Sequence, residues 1–168
     1  MKPDSNTSKL IDLSQSMPTA LAWALSLNAN VIAKGKPLSL CQAADATDVG
    51  VKEPDAVRIL RVPSLPELDS PQLRLVAKQV GLDLPRSLGL ALGYAVLIRH
   101  SALGDRRVLR HELRHVAQFE MAGSLSRFLE EYLAQMIQHG YRDAPFEVDA
   151  RRYESRLKAS DINNNRSI

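Results

Sequence analysis

Apolar residues recur with a helical period in two capped segments of the chain. The first follows Ser70 and Pro71, is placed to end at Gly81, and carries its apolar residues at i, i+3, i+4 and i+7: Leu73, Val76, Ala77 and Val80. The second opens at Ser124 and is placed to end at Gly140. Both segments are therefore predicted to be amphipathic helices.

Four further helices are indicated by their start and stop signals. They are a helix from Ser16 and Pro18 to about residue 29, one with a Ser39 and Gln42 capping box, one over 106–121 capped by Asp105, and one from Pro145 to about residue 159. The pattern thus predicts about six helices.

Two runs between these helices are typical of strands. Residues 57–62 are rich in β-branched side chains, and residues 92–99 alternate with the period of two expected of a half-buried strand. The small residues Gly93 and Ala95 would let a ligand or another backbone approach the second strand closely. Together with the helices, these strands predict an α+β fold.

Length and composition indicate one domain. The chain has 168 residues, of which 45% are hydrophobic, so it can bury a core. Residues 10–50 are predicted to form an N-terminal helical segment and residues 51–159 the core of the domain. Residues 1–9 and 160–168 are polar and are expected to be disordered tails. The first 50 residues would either cover a cleft as a pro-segment or complete the core.

Charge and cysteine content narrow the expected partners and compartment. The net charge is +3 and basic residues are dispersed, so we expect no specific nucleic-acid partner. Four arginines are interpreted as a solvated helix face: Arg106, Arg107, Arg110 and Arg114. With no recognisable signal peptide or apolar run of ~20 residues, a cytoplasmic protein without a membrane partner is expected, although non-classical export stays open. The single Cys41 is expected to be buried.

The segment His111-Glu112-Leu113-Arg114-His115 carries the strongest chemical signal. On a helix its two histidines lie roughly 40° apart on one face and one turn apart, so both imidazoles can bind one zinc ion. Glu112 borders that face, where a general base can take a proton from a water molecule. The segment therefore predicts a Zn²⁺ site with two histidine ligands and a glutamate base.

A catalytic zinc site takes three protein ligands, and several residues compete for the third place. Glu147 is favoured because a complete helix separates it from His115, so the last helix can return and present the carboxylate to the metal. Four other residues are weaker alternatives: His100, Glu120, His139 and Asp149.

Other polar residues are expected close to the zinc site. Peptide hydrolysis needs a hydrogen-bond donor for the tetrahedral oxyanion, and Tyr132, Tyr141 and His139 are available. For Tyr132, the interpretation as a core residue on the apolar stripe of its helix is favoured. Gln118, one turn after His115, is interpreted either as a residue that orients a histidine or as part of a solvated face.

Three segments together resemble a known group of proteins. Residues 89–99, 111–118 and 145–150 resemble small bacterial HExxH proteins of the gluzincin-like zincin type, over about residues 48–155. The resemblance implies a minimal zincin-like domain with a small, mainly antiparallel sheet beside the HExxH helix. It also implies that the strand before this helix is the sheet edge along which a peptide substrate lies.

The resemblance assigns His111, His115 and Glu147 as zinc ligands and Glu112 as the general base. The sequence accordingly predicts a zinc-dependent metallopeptidase acting on a peptide or protein. Four residues are predicted to bind the substrate: Gly93, Tyr94, Ala95 and Val96. The alternative is a non-catalytic zinc-binding interaction module or pseudoenzyme within a larger assembly, which would not need Glu112 and would use four protein ligands.

Overall fold

The computed structural model describes residues 5–154, and the side chains from residue 15 onward. It confirms the predicted α+β fold. Its helices are α1 (Ser5–Lys34), α2 (Leu40–Asp48), α3 (Pro71–Val80), α4 (Arg106–Ala122), α5 (Leu125–His139) and α6 (Pro145–Glu154). Its strands are β1 (Lys36–Pro37), β2 (Arg58–Val62), β3 (Gly89–Leu92) and β4 (Ala95–Arg99). None of the helices in residues 5–154 is long and apolar enough to cross a membrane.

Four of the predicted signals at the helix starts act as expected. Side-chain caps are present on four helices, at Ser39 with Gln42, Ser70, Asp105 and Ser124. Each satisfies a backbone N–H that the first turn of a helix leaves without a partner. The caps therefore set the residues at which α2 to α5 begin.

Helix α1 is longer than predicted. It begins at Ser5, so residues 5–9 of the expected tail are helical, and Pro18 lies inside the helix instead of opening it. A proline inside a helix removes one backbone hydrogen bond. Ala24 and Val31 on the same helix are almost fully buried, and this burial offsets the loss. The expected tail 160–168 lies outside the described residues, as do residues 155–159 of the last predicted helix.

A hairpin replaces the single strand predicted over residues 92–99. Leu92 pairs with Ala95, and Gly93 and Tyr94 form the two-residue turn between them. Gly93 has φ 63°, the positive value that a type II′ turn requires at this position and that glycine adopts without steric cost. The alternation of residues continues across this turn, so the pattern alone does not reveal it.

Strand β4 lies in the middle of the sheet, whose order is β1-β2-β4-β3. It runs parallel to β2 and antiparallel to β3, and β1 is antiparallel to β2, so two of the three pairings are antiparallel. Both faces of β4 are buried: Ala95 and Leu97 pack with Val31 of α1, and Val96 and Ile98 pack towards α4. The prediction of a half-buried strand is therefore wrong.

The predicted substrate edge is also wrong, because both edges of β4 are paired within the sheet. Ala95 and Val96 have no exposed surface. Gly93 packs near Asn28 and Phe119, and Tyr94 stacks edge-on against Phe119, so both turn residues contact other parts of the fold. The outer strand on this side of the sheet is β3, which lies against α4.

The N-terminal segment contributes to the same core as the rest of the chain. Val31 of α1 and Ala46 of α2 have no exposed surface, and Val49, directly after α2, is equally buried. Ala46 and Val49 pack in one cluster with Leu113 and Val116 of α4. Residues 15–50 therefore complete the core. Cys41, expected to be buried, is exposed in the first turn of α2, because this helix buries Asp45 and Ala46 instead.

A buried group of ion pairs joins α2 to α4. Arg110, only 2% exposed, donates hydrogen bonds to Asp45 at 2.8 Å, to Asp48 at 2.5 Å and to the carbonyl of Tyr153 at 3.1 Å. Arg106 donates to both carboxylate oxygens of Asp45, at 2.7 and 2.8 Å. The solvated face predicted for these arginines is wrong, because the carboxylates come from another helix.

The charge of Asp45 depends on these two arginines. Burial opposes ionisation of the Asp45 carboxyl, but the hydrogen bonds and positive charges of Arg106 and Arg110 outweigh it and lower the pKa. Removing the carboxylate would leave Arg110 buried with one partly exposed acidic partner, since Asp48 is 65% exposed. The ion-paired contact between α2 and α4 therefore depends on Asp45.

We expect Asp45→Asn to lower the free energy of unfolding at pH 7 by about 2–4 kcal/mol, because it leaves the buried Arg110 guanidinium without its one buried charged partner. This loss of stability lies towards the low end of the range for a buried ion pair, because Arg106, the second arginine that binds Asp45, is partly exposed. Urea denaturation followed by circular dichroism measures the loss. Asp69→Asn, at an exposed position, is the matched control and should change stability by less than about 0.5 kcal/mol.

The difference between the wild type and Asp45→Asn should depend on pH. The folded-state pKa of Asp45 is depressed, so its contribution is fully present above the unfolded pKa of about 3.9 and is lost as the pH falls through the folded pKa. The difference measured by urea denaturation should therefore stay constant from pH 7 to about pH 4 and shrink as the pH falls further. A difference that stays constant over the whole pH range would contradict a role for the Asp45 charge.

Candidate metal centre

Helix α4 presents the HExxH residues to a cavity. His111, Glu112 and His115 all line it, and the two histidine rings lie with their centroids 4.8 Å apart. Their Nε2 atoms are 3.1 Å from each other. The i, i+4 spacing on α4 therefore directs both imidazoles to one point, as predicted.

Helix α6 brings Glu147 to the same point. Its Oε2 lies 3.3 Å from the Nε2 of His111, and its Oε1 lies 3.1 Å from the Nε2 of His115. Glu147 is only 1% exposed, and Ala150, one turn later and fully buried, lets α6 pack closely. Within the described part of the chain, these three residues form a group whose potential ligand atoms all lie within 4.8 Å of one another.

The four alternative third ligands lie elsewhere or are engaged. His100 and His139 are exposed. The carboxylate of Asp149 accepts hydrogen bonds from Arg114 at 2.6 Å and from Gln118 at 2.9 Å. Glu120 accepts from the backbone amides of residues 52 and 53. Among the candidates raised by the sequence, Glu147 alone is directed at both histidines.

Gln118 fixes the tautomer of His115. Its amide nitrogen donates to the carbonyl of Phe146 at 3.1 Å and to Asp149, so its Oε1 is the acceptor that faces the Nδ1 of His115 at 2.8 Å. The Nδ1 of His115 must then carry a proton, and its Nε2 is the ring nitrogen that faces Glu147. Gln118 is 1% exposed, so the structure favours the orienting interpretation over a solvated face.

Glu154 has the corresponding position beside His111. Its Oε1 lies 2.6 Å from the Nδ1 of His111, and a carboxylate at this distance accepts the Nδ1 proton. The Nε2 of His111 is then the ring nitrogen that faces Glu147. Sequence reasoning missed Glu154, although its position seven residues after Glu147 puts it two turns along the same helix.

The donor set fits a zinc ion. Two imidazole nitrogens and a carboxylate converge on one small volume, where a bound cation would balance the buried negative charge. Ligands that lie about 2.0–2.1 Å from a tetrahedral zinc ion are roughly 3.3–3.4 Å from each other. The observed separations between the Nε2 and carboxylate oxygen atoms are 3.1 and 3.3 Å, so the three residues need little movement to hold the ion.

The pKa values of the group reflect this convergence. Burial alone would lower the pKa of His111, but the hydrogen bond to Glu147 and the charges of nearby glutamates raise it to about 9. Burial would raise the pKa of Glu147, but the hydrogen bonds from His111 and His115 hold it well below its usual range. Glu147 is therefore an anion, and positive charge is favoured where its oxygens meet the imidazoles.

Glu112 lies beside this group without belonging to it. It is 6% exposed, and burial raises the pKa of its carboxyl although the two histidines oppose the shift. The start of β3 packs directly on it: a Cβ atom added to Gly89 would lie 2.6 Å from both Cγ and Oε1 of Glu112. Only glycine leaves room there, so β3 runs past the carboxylate at close range.

The two tyrosines expected near the site both line the cavity. The hydroxyl of Tyr132 donates to the Oε1 of Glu147 at 2.6 Å, so Tyr132 supports a candidate ligand. Burial and the charge of Glu147 raise the pKa of both Tyr132 and Tyr141 above their usual value. Each phenol is therefore protonated and able to donate a hydrogen bond at neutral pH.

The residues predicted for substrate binding do not line the cavity; the whole of strand β3 does. Gly93, Tyr94, Ala95 and Val96 lie at and beyond the hairpin turn. The signal that sequence reasoning passed over is Gly89, which begins a short apolar run before the predicted strand.

Comparisons with protein-family models, with curated proteins and with solved structures found no match for this chain.

We expect Glu147→Gln to weaken zinc binding by more than about 100-fold, the upper range for losing a residue that only supports a ligand. The amide keeps the size of the side chain but removes the charge that balances the metal. Zinc content after dialysis, measured by atomic emission, checks this, and the wild type should hold one ion per chain. Glu67→Gln, at an exposed position, is the control; equal zinc in both variants would contradict the assignment.

Glu154→Gln should have a smaller effect, lowering zinc affinity by about 10- to 100-fold without abolishing binding. The glutamine amide oxygen still accepts the Nδ1 proton of His111, but it lacks the negative charge that strengthens the imidazole as a ligand. Competition with a chelator of known zinc affinity gives the zinc dissociation constants of the wild type and of Glu154→Gln. A loss as large as that of Glu147→Gln would mean that Glu154 itself binds the metal.

Proposed function

We propose that this chain is a zinc-dependent peptidase. The observation that carries the proposal is the position of Glu112: it is a buried carboxylate beside three convergent ligands, and it lines the same cavity as they do. Two histidines and one glutamate form a donor set found in catalytic zinc sites, which leave one position for water or substrate.

His111, His115 and Glu147 would hold the metal. When bound there, zinc would supply Lewis acidity, which polarises a substrate carbonyl and lowers the pKa of a water molecule towards ~7. Gln118 and Glu154 would keep the two imidazoles in the tautomer that binds metal, because each accepts an Nδ1 proton.

Glu112 would act as the general base and then as the general acid. Its carboxylate takes a proton from the attacking water and passes it to the leaving amine, so the proton ends on the new amino group. Burial raises its pKa, and this brings its proton affinity closer to the neutral range in which it must both accept and release the proton.

An extended peptide would bind along β3. This strand is at the end of the sheet order, so its outer edge is unpaired by any strand of residues 5–154. A peptide added there makes backbone hydrogen bonds as a further strand. Its path passes Gly89, which contacts Glu112, so a peptide carbonyl would come close to the base and the metal ligands.

The alternative of a non-catalytic zinc module is less well supported. A structural zinc site has four protein ligands and no open position. Among the described residues the group has three members, and a cavity continues away from them. A structural site would also give no reason to keep a carboxylate buried at position 112.

We expect Glu112→Gln to retain one zinc ion and to lower the rate of peptide hydrolysis by a factor of about 100–10,000, because glutamine cannot accept the proton. Mass spectrometry of a peptide mixture incubated with the zinc-loaded protein measures cleavage. Glu67→Gln is again the control and should cleave like the wild type. Undiminished cleavage by a zinc-replete Glu112→Gln protein would exclude Glu112 as the base.

A further inference from the structure

The cavity that holds the metal ligands continues as an apolar cleft between α1, α3 and α5. The whole cavity, including the part beside the metal ligands, has a volume of about 110 Å³. Its walls away from the ligands are almost entirely hydrocarbon, and representative residues are Trp23, Leu73, Val80, Leu129, Leu133 and Met136. A cleft of this kind favours an apolar occupant, because a charged group entering it would lose its hydration without gaining a partner.

One side of α1 forms one wall of the cleft. Ser16, Ala20, Trp23 and Ala24 all line the cleft, and their spacing of four, seven and eight residues places them on one helix face. Ala20 and Ala24 are small, so they leave space beside the indole of Trp23. The width of the cleft at α1 is therefore set by two alanines.

Ser16 is the exception to the apolar lining of this wall. It is only 2% exposed, and its hydroxyl has no hydrogen-bond partner in the described part of the chain. A buried hydroxyl without a partner is unfavourable, and natural structures usually satisfy such groups. A polar group that entered the cleft beside Ser16 would supply this missing partner.

We propose that this cleft receives a large side chain of the peptide substrate, next to the bond that is cleaved, and that Ser16 makes it prefer tyrosine. The inference rests on the proposed function. Alternate side chains of a peptide paired with β3 point to the same side of the sheet, and Leu90 and Leu92 of β3 line the cleft together with Glu112. The aromatic ring of tyrosine suits the walls, and its hydroxyl pairs with Ser16.

Trp23 makes the proposal measurable without catalysis. It is the single tryptophan of the chain and lines the cleft, so an occupant changes its fluorescence. The probes are end-blocked peptides of alanine and glycine in which one central residue is tyrosine, phenylalanine, leucine, alanine or aspartate. They are titrated into the zinc-loaded Glu112→Gln protein, which does not consume them, and tryptophan is excited selectively.

The tyrosine peptide should bind most tightly, followed by phenylalanine and leucine, with alanine and aspartate weakest. Ser16→Ala should weaken the tyrosine peptide by about fivefold, the usual effect of losing one hydrogen bond, and should bring it to the level of phenylalanine. Thr19→Ala removes an exposed hydroxyl from the same helix and is the matched control. Ala20→Phe should weaken all three large peptides by filling the cleft.

Two results would overturn the proposal. One is an equal response of Trp23 to the tyrosine, alanine and aspartate peptides; the other is a tyrosine preference that survives Ser16→Ala in a protein with an unchanged circular dichroism spectrum. Cleavage of the same peptides by the wild type separates this inference from the proposed function. Selective binding without cleavage would reject the peptidase alone, whereas cleavage that ignores the central residue would reject the cleft's role alone.

Discussion

The buried carboxylate of Glu147 is the constraint on which the site depends. At 1% exposure it lies against two imidazole nitrogens at 3.1 and 3.3 Å and accepts a hydrogen bond from Tyr132. A buried anion is stable only where positive charge and donors surround it. The close packing of α6 on α4 presents Glu147 to His111 and His115, and Tyr132 of α5 supplies a further donor. We therefore expect metal affinity to depend on the packing of these two helices.

Helix α4 is buried on most of its circumference, and each of its sides makes different contacts. Leu113 and Val116 pack in the core below the sheet, whereas His111 and His115 face the cavity. Arg110 is held by Asp45 of α2, and Arg114 by Asp149 of α6 and the carbonyl of Val49. The arginines thus anchor neighbouring elements on both sides of the histidines. This arrangement holds the two candidate ligands on a rigid helix, as a preorganised site requires.

Local sequence signals accounted for the helices and for the core of the site. The caps at Ser70, Asp105 and Ser124 act within four residues of their helix starts, so their effect is readable from the chain alone. The i, i+4 spacing of His111 and His115 is equally local. The hairpin at Gly93 was missed because a tight turn can interrupt an alternating run without disturbing its composition.

The sequence by itself determined which residues have metal-binding chemistry and which helix faces they occupy, because both follow from side-chain type and helical period. It also made Glu147 the leading third ligand. Only the tertiary structure decided that β3, and not β4, is the open edge beside Glu112, since strand order depends on which edges find partners. The tertiary structure also decided the burial of Arg110, the contact of Glu154 with His111 and the cleft wall at Ser16. The first two join residues more than 40 positions apart, and the third faces a space that several elements enclose together.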